Sequence, residues 1–378
     1  PEPEPEPVPQ PQPEPTPIPQ PENNPRHTTH SETQKSTSVI VNAYEKYIEK
    51  ELEKKGQVVI EQAGDYTDHK FILPAKYFEN TENIFSFIIK TDFCEIVIPN
   101  NIISSSDTNY IVVNITKGIL DNKPIVKVEI KTDDKPVKNL NKKIKIIIDY
   151  IPEKNEDINK IIIVDENNEV IKNCKYNEET KQIEFYTNNS SQEYKVVYNN
   201  VTFADIKNHK QKNEIERLAA RGIIEKTKDN EMFNPNENIT RAGFVKLLVK
   251  MFDLKADVKS NFDDTEDPDI GIMKELGIVK GVGNNKFEPD RYITIEEVMV
   301  LIDRVLSFNN VEEMNTVDLN NFIDKNDVSA YAVESVKKVL GEGIMPVNNK
   351  RIRPKSNLTK AQAASILNTI SNKYIVVK

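Results

Sequence analysis

A chain of 378 residues has room for two or three domains. Its formal net charge of −9, with no basic tract to offset it, argues against nucleic acid as the main partner. No apolar run approaches the ~20 residues that cross a bilayer, so membrane insertion is not expected.

In chain order, residues 1–37 come first as a spacer. Pro1 to Pro25 alternates proline with Glu, Gln and other residues and has only Val8 and Ile18 to bury. Such a stretch cannot build a core. Its prolines favour an extended polyproline II rod of about 3.1 Å per residue, and its glutamates repel one another and extend it further. The chain opens on Pro1 with no basic-then-apolar leader, which reads as a processed product or a fragment.

Residues 38–199 are expected to form a β-rich, sandwich-like domain. Val39, Ala43, Tyr44, Tyr47, Ile48 and Leu52 share one face of a helix over Val39–Leu52, which Gly56 is placed to end. Short β-rich runs then follow at Phe85–Ile89, Glu95–Ile98, Tyr110–Ile115, Ile125–Ile130, Lys145–Ile148, Ile161–Val164, Gln182–Tyr186 and Tyr194–Tyr198. Asp165–Glu169 and Asn177–Thr180 have the composition of hairpin turns, so the pairing should be mostly antiparallel. Cys94 and Cys174 fit buried small residues better than a disulfide, and neither has metal-ligand spacing.

From Phe203 the pattern changes to helices separated by loops, and the chain repeats itself. Phe203-Ala-Asp205, Phe262-Asp-Asp264 and Phe322-Ile-Asp324 open units at 200–259, 260–320 and 321–378. Each opening leads to a short amphipathic helix that ends at Gly222-Ile223, Gly277-Ile278 or Gly343-Ile344, where glycine suits a left-handed C-cap. Next come Phe233-x-Pro235-x3-Ile239-Thr240, Phe287-x-Pro289-x3-Ile293-Thr294 and Ile352-x-Pro354-x3-Leu358-Thr359, with identical spacing. Thr240, Thr294 and Thr359 should each N-cap a second helix. Glu297 and Gln362 complete capping boxes in units two and three, whereas Gly243 leaves the first cap weaker. A unit of about 60 residues cannot bury both of its helices alone, but three can pool their apolar stripes into one core.

The order Phe-x-Asp, helix, Gly-Ile, Phe-x-Pro, Ile-Thr-Arg-Ala, helix resembles the S-layer homology family over Val201 to about Tyr374. The family's usual Trp before the first helix is missing, with Lys210 near that place in unit one and Tyr331 in unit three. Its glycine-rich turn survives only as Gly281-Val-Gly283. Tyr176–Tyr198 also resembles the end of a β domain that often precedes such triplets. The resemblance implies an α+β, multidomain chain whose all-α triplet forms a pseudo-trimer on a central helix bundle. It further implies grooves that bind anionic, pyruvylated secondary cell-wall polysaccharide attached to peptidoglycan.

One position agrees with this chemically. A residue just after a helix N-cap lies beside unsatisfied N–H groups and the positive end of the helix dipole, where a guanidinium makes a carboxylate receptor. Arg241 fills that position in unit one, Lys360 in unit three and the uncharged Ile295 in unit two. The expected ligand contacts are therefore Arg241 first and Lys360 second, with the unit-two groove degenerate. Asp205, Asp264 and Asp324 should cap the first helices or orient a groove residue, and Gly281 and Gly283 are further candidates. The carboxylates of Asp263–Asp269 lack the spacing of a calcium loop. No nucleophile–base pair, phosphate loop or metal-ligand cluster is visible, so no catalytic residue, cofactor or metal is expected. The reading is a secreted, non-catalytic wall anchor at the cell wall or S-layer. A structural lattice protein contacting other S-layer subunits is the alternative, and a wall-glycan hydrolase in the β domain a weaker one.

Overall fold

The computed structural model describes residues 36–40, 48–52, 56–62, 64–78, 85–103, 108–137, 139–226, 231–311 and 313–375. The spacer expected over Pro1–Pro25 lies outside the described residues.

Apolar alternation builds two sheets. The first runs β1 (Ser36–Ile40), β3 (Asp68–Pro74), β6 (Tyr110–Leu120), β7 (Lys123–Thr132), β13 (Ser191–Tyr198) and β10 (Ile161–Asp165), with β8 (Lys135–Pro136) paired to β7. The second runs β11 (Lys175–Asn177), β12 (Gln182–Asn189), β9 (Asn139–Asp149), β5 (Cys94–Pro99), β4 (Ser86–Lys90) and β2 (Gln57–Glu61). Along β9, Ile144, Ile146 and Ile148 point inward and are fully buried, while Lys145 and Ile147 between them are only partly covered. One apolar cluster takes residues from both sheets, including Phe71, Phe87, Ile146 and Phe185. Cys94 and Cys174 are buried and unbridged.

Each of the eight expected runs falls in a strand, except that Phe85 lies one residue before β4. Pairing is antiparallel except for β1 with β3 and β2 with β4, which are parallel. The expected Val39–Leu52 helix is corrected at its start. Val39 lies in β1 opposite Phe71, and helix is present at 48–52, where Gly56 N–H reaches Leu52 O at 3.0 Å. A β-branched pair, Val39-Ile40, is better suited to a sheet edge than to a first helical turn.

The C-terminal region is helical: α1 (Lys212–Ala220), α2 (Arg241–Phe252), α3 (Pro268–Glu275), α4 (Ile295–Phe308), α5 (Val333–Gly341) and α6 (Lys360–Ile370). One cluster gathers the stripes of all six, among them Leu218, Leu248, Met273, Ile302, Val336 and Leu367. Gly222, Gly277 and Gly343 follow the first helices at φ 68°, 71° and 64°, the left-handed cap that a Cβ would strain. The packing is cyclic. The first helix of unit two lies on α2, that of unit three on α4, and that of unit one on α6.

The β and helical regions share more than a linker. Arg221, 2% exposed, donates to Asn159 O at 2.9 Å and Cys174 O at 3.3 Å in the β region. Lys160 and Glu216 form a buried ion pair at 2.8 Å, and Asn199 donates to Ala220 O at 2.8 Å.

Candidate functional site

The repeated sequence signature becomes a repeated device. The Oδ atoms of Asp205 accept from the N–H groups of Phe233 and Asn234 at 2.8 and 2.6 Å. Asp264 does the same for Phe287 and Glu288 at 2.9 and 2.8 Å, and Asp324 for Ile352 and Arg353 at 2.9 and 2.8 Å. The second residue of each pair has a positive φ, 58° at Asn234, 58° at Glu288 and 56° at Arg353. These carboxylates therefore hold a left-handed residue in the loop and do not cap the first helix. Burial opposes the ionised form of Asp324, but the two donated N–H groups outweigh it and hold the carboxyl below its ordinary range.

The loops so held meet the preceding unit's cap, the first unit's loop meeting the third. Ile239 N–H donates to Leu358 O at 2.9 Å, Leu358 N–H to Ile293 O at 3.1 Å, and Ile293 N–H to Ile239 O at 3.1 Å, closing a ring. The first N–H groups of α2, at Arg241 and Ala242, reach Arg291 O and Pro289 O at 2.9 and 3.0 Å. Those of α4, at Ile295 and Glu296, reach Ser356 O and Pro354 O, both at 3.0 Å, and those of α6, at Lys360 and Ala361, reach Glu237 O and Pro235 O at 2.8 and 3.0 Å. Thr240 accepts from Gly243 N–H at 3.1 Å and Thr359 from Gln362 N–H at 3.2 Å. In the boxes, Glu297 and Gln362 reach back to the N–H of Thr294 and Thr359 at 3.0 and 2.9 Å. The free N–H groups expected to help receive an anion are thus already bonded across the seams. Side chains alone are left for that task.

The seam between units one and two contains Arg241, which is 7% exposed. Its guanidinium lies 4.6 Å from the Phe287 ring centroid, donates through Nε to Phe287 O at 2.9 Å and pairs with Glu297 at 2.8 Å. Arg291 also grips Glu297, at 2.6 Å, and Glu288 at 2.6 Å. Burial pushes Glu297 up, yet Arg291, the Thr294 N–H and the Arg241 charge bring its carboxyl below the usual range. In the seam between units three and one, Lys360 pairs with Glu237 at 2.6 Å.

The seam between units two and three differs. Ile295 is buried, as an apolar side chain there should be, and Glu296 beside it is only 3% exposed. Glu296 accepts from Ser329 N–H, the Ser329 hydroxyl, Tyr331 and Lys355 at 3.0, 2.9, 3.1 and 2.6 Å. Above it runs Lys350-Arg351-Ile352-Arg353-Pro354-Lys355, in which Lys350, Arg351 and Arg353 are exposed and form no ion pair with another described residue. The sequence reading judged this seam degenerate from Ile295 on the helix and did not weigh the loop that covers it. The basic run was visible.

Gly281, at φ 71°, sits where a Cβ would lie 2.6 Å from Lys286 O and 2.7 Å from the Phe262 ring; Val282 and Lys286 close the turn, with Gly283 O accepting from Lys286 N–H. In the Asp263–Asp269 loop, Asp267 caps α3 by accepting from Asp269 N–H at 2.9 Å.

The S-layer homology domain model matches residues 202–244, 259–298 and 321–364. The chain is 31% identical to an amylopullulanase of Thermoanaerobacterium thermosulfurigenes over 44% of its own length and 9% of the relative's. It is 29% identical to the exoglucanase XynX of Acetivibrio thermocellus, over 46% of this chain and 16% of that one. With the S-layer protein sap of Bacillus anthracis it shares 27% identity over 44% of this chain and 21% of the relative. The matched region therefore spans less than a quarter of each of these relatives. Residues 202–364 of this chain are three tandem S-layer homology domains, which mark it as a cell-surface protein.

Proposed function

We propose that the chain anchors a secreted surface protein non-covalently to the cell wall, and that its three units, arranged as a pseudo-trimer on a central bundle of α2, α4 and α6, hold anionic wall polysaccharide in their seams. The observation that carries this reading is the unequal charge of the seams. Around Arg241 two arginines face two glutamates, and Lys360 faces Glu237, whereas the unit-three loop offers Lys350, Arg351 and Arg353 unpaired among the described residues. The seam beside Ile295 is thus the principal anion site. Arg241 and Lys360 are secondary contacts, available where a ligand carboxylate replaces the internal one. Arginine grips both oxygens of a carboxylate, and a charge-assisted bond of this kind contributes about 1.5–3 kcal/mol. Several contacts on one polymer add through effective concentration.

The matches to glycosidases lie in the S-layer homology region, so this reading assigns no catalysis to the chain. The likeness to an S-layer protein favours a second reading, a lattice subunit, which electron microscopy of the purified chain distinguishes by ordered two-dimensional arrays. Calorimetry with anionic wall polysaccharide, before and after chemical removal of its acid groups, tests the first. Binding that survives removal unchanged would sink it.

A further inference from the structure

The three second helices have two ends. Their N-terminal ends form the seams, and the C-terminal ends of α2 and α4, with the helical turn Ser371–Ile375 that continues α6, face a cavity of about 1040 Å³ between the helical and β regions. α2 and α4 have 12 and 14 residues, so the cavity lies roughly 18–21 Å from the seams. Phe252 of α2, Phe308 of α4 and Tyr374 beyond α6 line one wall, and Asn173, Tyr186 and Asn188 of the β region the other.

We propose that this cleft binds a neutral, hydroxyl-rich oligosaccharide at a site separate from the seams. Electrostatics select against an anion. Two helix C-termini, those of α2 and α4, converge there, each with carbonyls that lack intrahelical donors and the negative end of a dipole. Hydroxyl groups supply the donors such carbonyls accept. Among the charged groups that line the cleft, Lys172 pairs with Asp253 at 3.6 Å, Arg221 is held by Asn159 O, Arg217 O and Cys174 O, and Glu169 is an exposed carboxylate that adds to the negative character. Asp165 is taken up by the N–H groups of Asn167 and Glu169 and the Gln192 amide.

The surfaces left for a ligand are planar. Phe308 is 45% exposed and Phe252 and Tyr186 are half-buried, which offers rings for stacking on the apolar face of a sugar. Asn188 is exposed, with an amide that both donates and accepts. The volume matches the upper range of ligand clefts and admits several sugar rings.

Calorimetric titration of the full chain with cellotetraose, xylotetraose and maltotetraose, each up to about 10 mM, tests this. At least one should bind with a Kd below about 1 mM, and Phe308→Ala and Asn188→Ala should each weaken it about tenfold. Arg353→Ala, at the other end of the helices, should leave it unchanged, and this arm separates the cleft from the polysaccharide seams. Circular dichroism checks the fold of Phe308→Ala, and Asn188→Ala, exposed at the register shift near the end of β12, carries the test if that variant unfolds. No binding of any tetrasaccharide, or equal binding by the Asn188 variant, overturns the proposal.

Discussion

Asp205, Asp264 and Asp324 each hold two successive N–H groups, and this small act explains why Phe-x-Asp and Phe-x-Pro recur together. The carboxylate stabilises a left-handed residue, the left-handed residue turns the loop, and the proline carbonyl then meets the neighbouring helix. Asp324 is the most buried of the three, at 8% exposure. Asp324→Ala should lower stability in urea unfolding by about 3 kcal/mol, and Asp324→Asn, which keeps one acceptor, by about half as much. The recurrence of these aspartates was legible in the sequence, but their partners were not, because the bonds span up to 29 residues of loop and helix. The same distance problem hid the carboxylates that occupy the predicted cations. Glu297 lies 56 residues from Arg241, and Glu237 lies 123 residues from Lys360.

Period alone was sufficient for most elements. Strands such as β9 and β12 alternate on the sheet's period of two, and the second helices follow the helical one, with threonine caps at fixed spacing. The failure at Val39 is of the same origin. The β-branched pair Val39-Ile40 matches a helix face and a sheet edge equally well, and only the pairing of β1 with β3 decides between them. At the far end a latch follows α6. Glu342 accepts from Tyr374 at 2.6 Å, Asn315 N–H at 2.6 Å and Lys373 at 3.0 Å. Burial alone would raise its pKa, but these donors bring it down to about 2. A lowered folded-state pKa means the stabilisation is complete above the unfolded value near 4.5 and is lost as pH falls toward 2. Thermal unfolding between pH 6 and 2 should therefore fall more steeply for the parent than for Glu342→Gln; parallel curves would show the latch contributes nothing.

At the scale of the whole molecule, the β and helical regions meet through buried charge. Arg217 lies close enough to Arg221 that burial, then the neighbouring guanidinium, brings its pKa down to about 10. Arg221 bridges to two backbone carbonyls of the β region and forms no ion pair with a carboxylate among the described residues. Arg221→Ala should destabilise by about 3 kcal/mol through the carbonyls left unpaired. It should also split one calorimetric transition into two, and a single transition in the variant would show that the regions are coupled by other contacts. In the proposed anchoring role, the seams at the other end of the helices face the wall. Co-sedimentation with purified cell walls is the most direct test of that assignment, comparing the parent with the Arg351→Ala/Arg353→Ala double variant at matched salt. Loss of about ten- to hundredfold in affinity, with Arg241→Ala losing less, is the expected result. Equal retention of the double variant and the parent would contradict it.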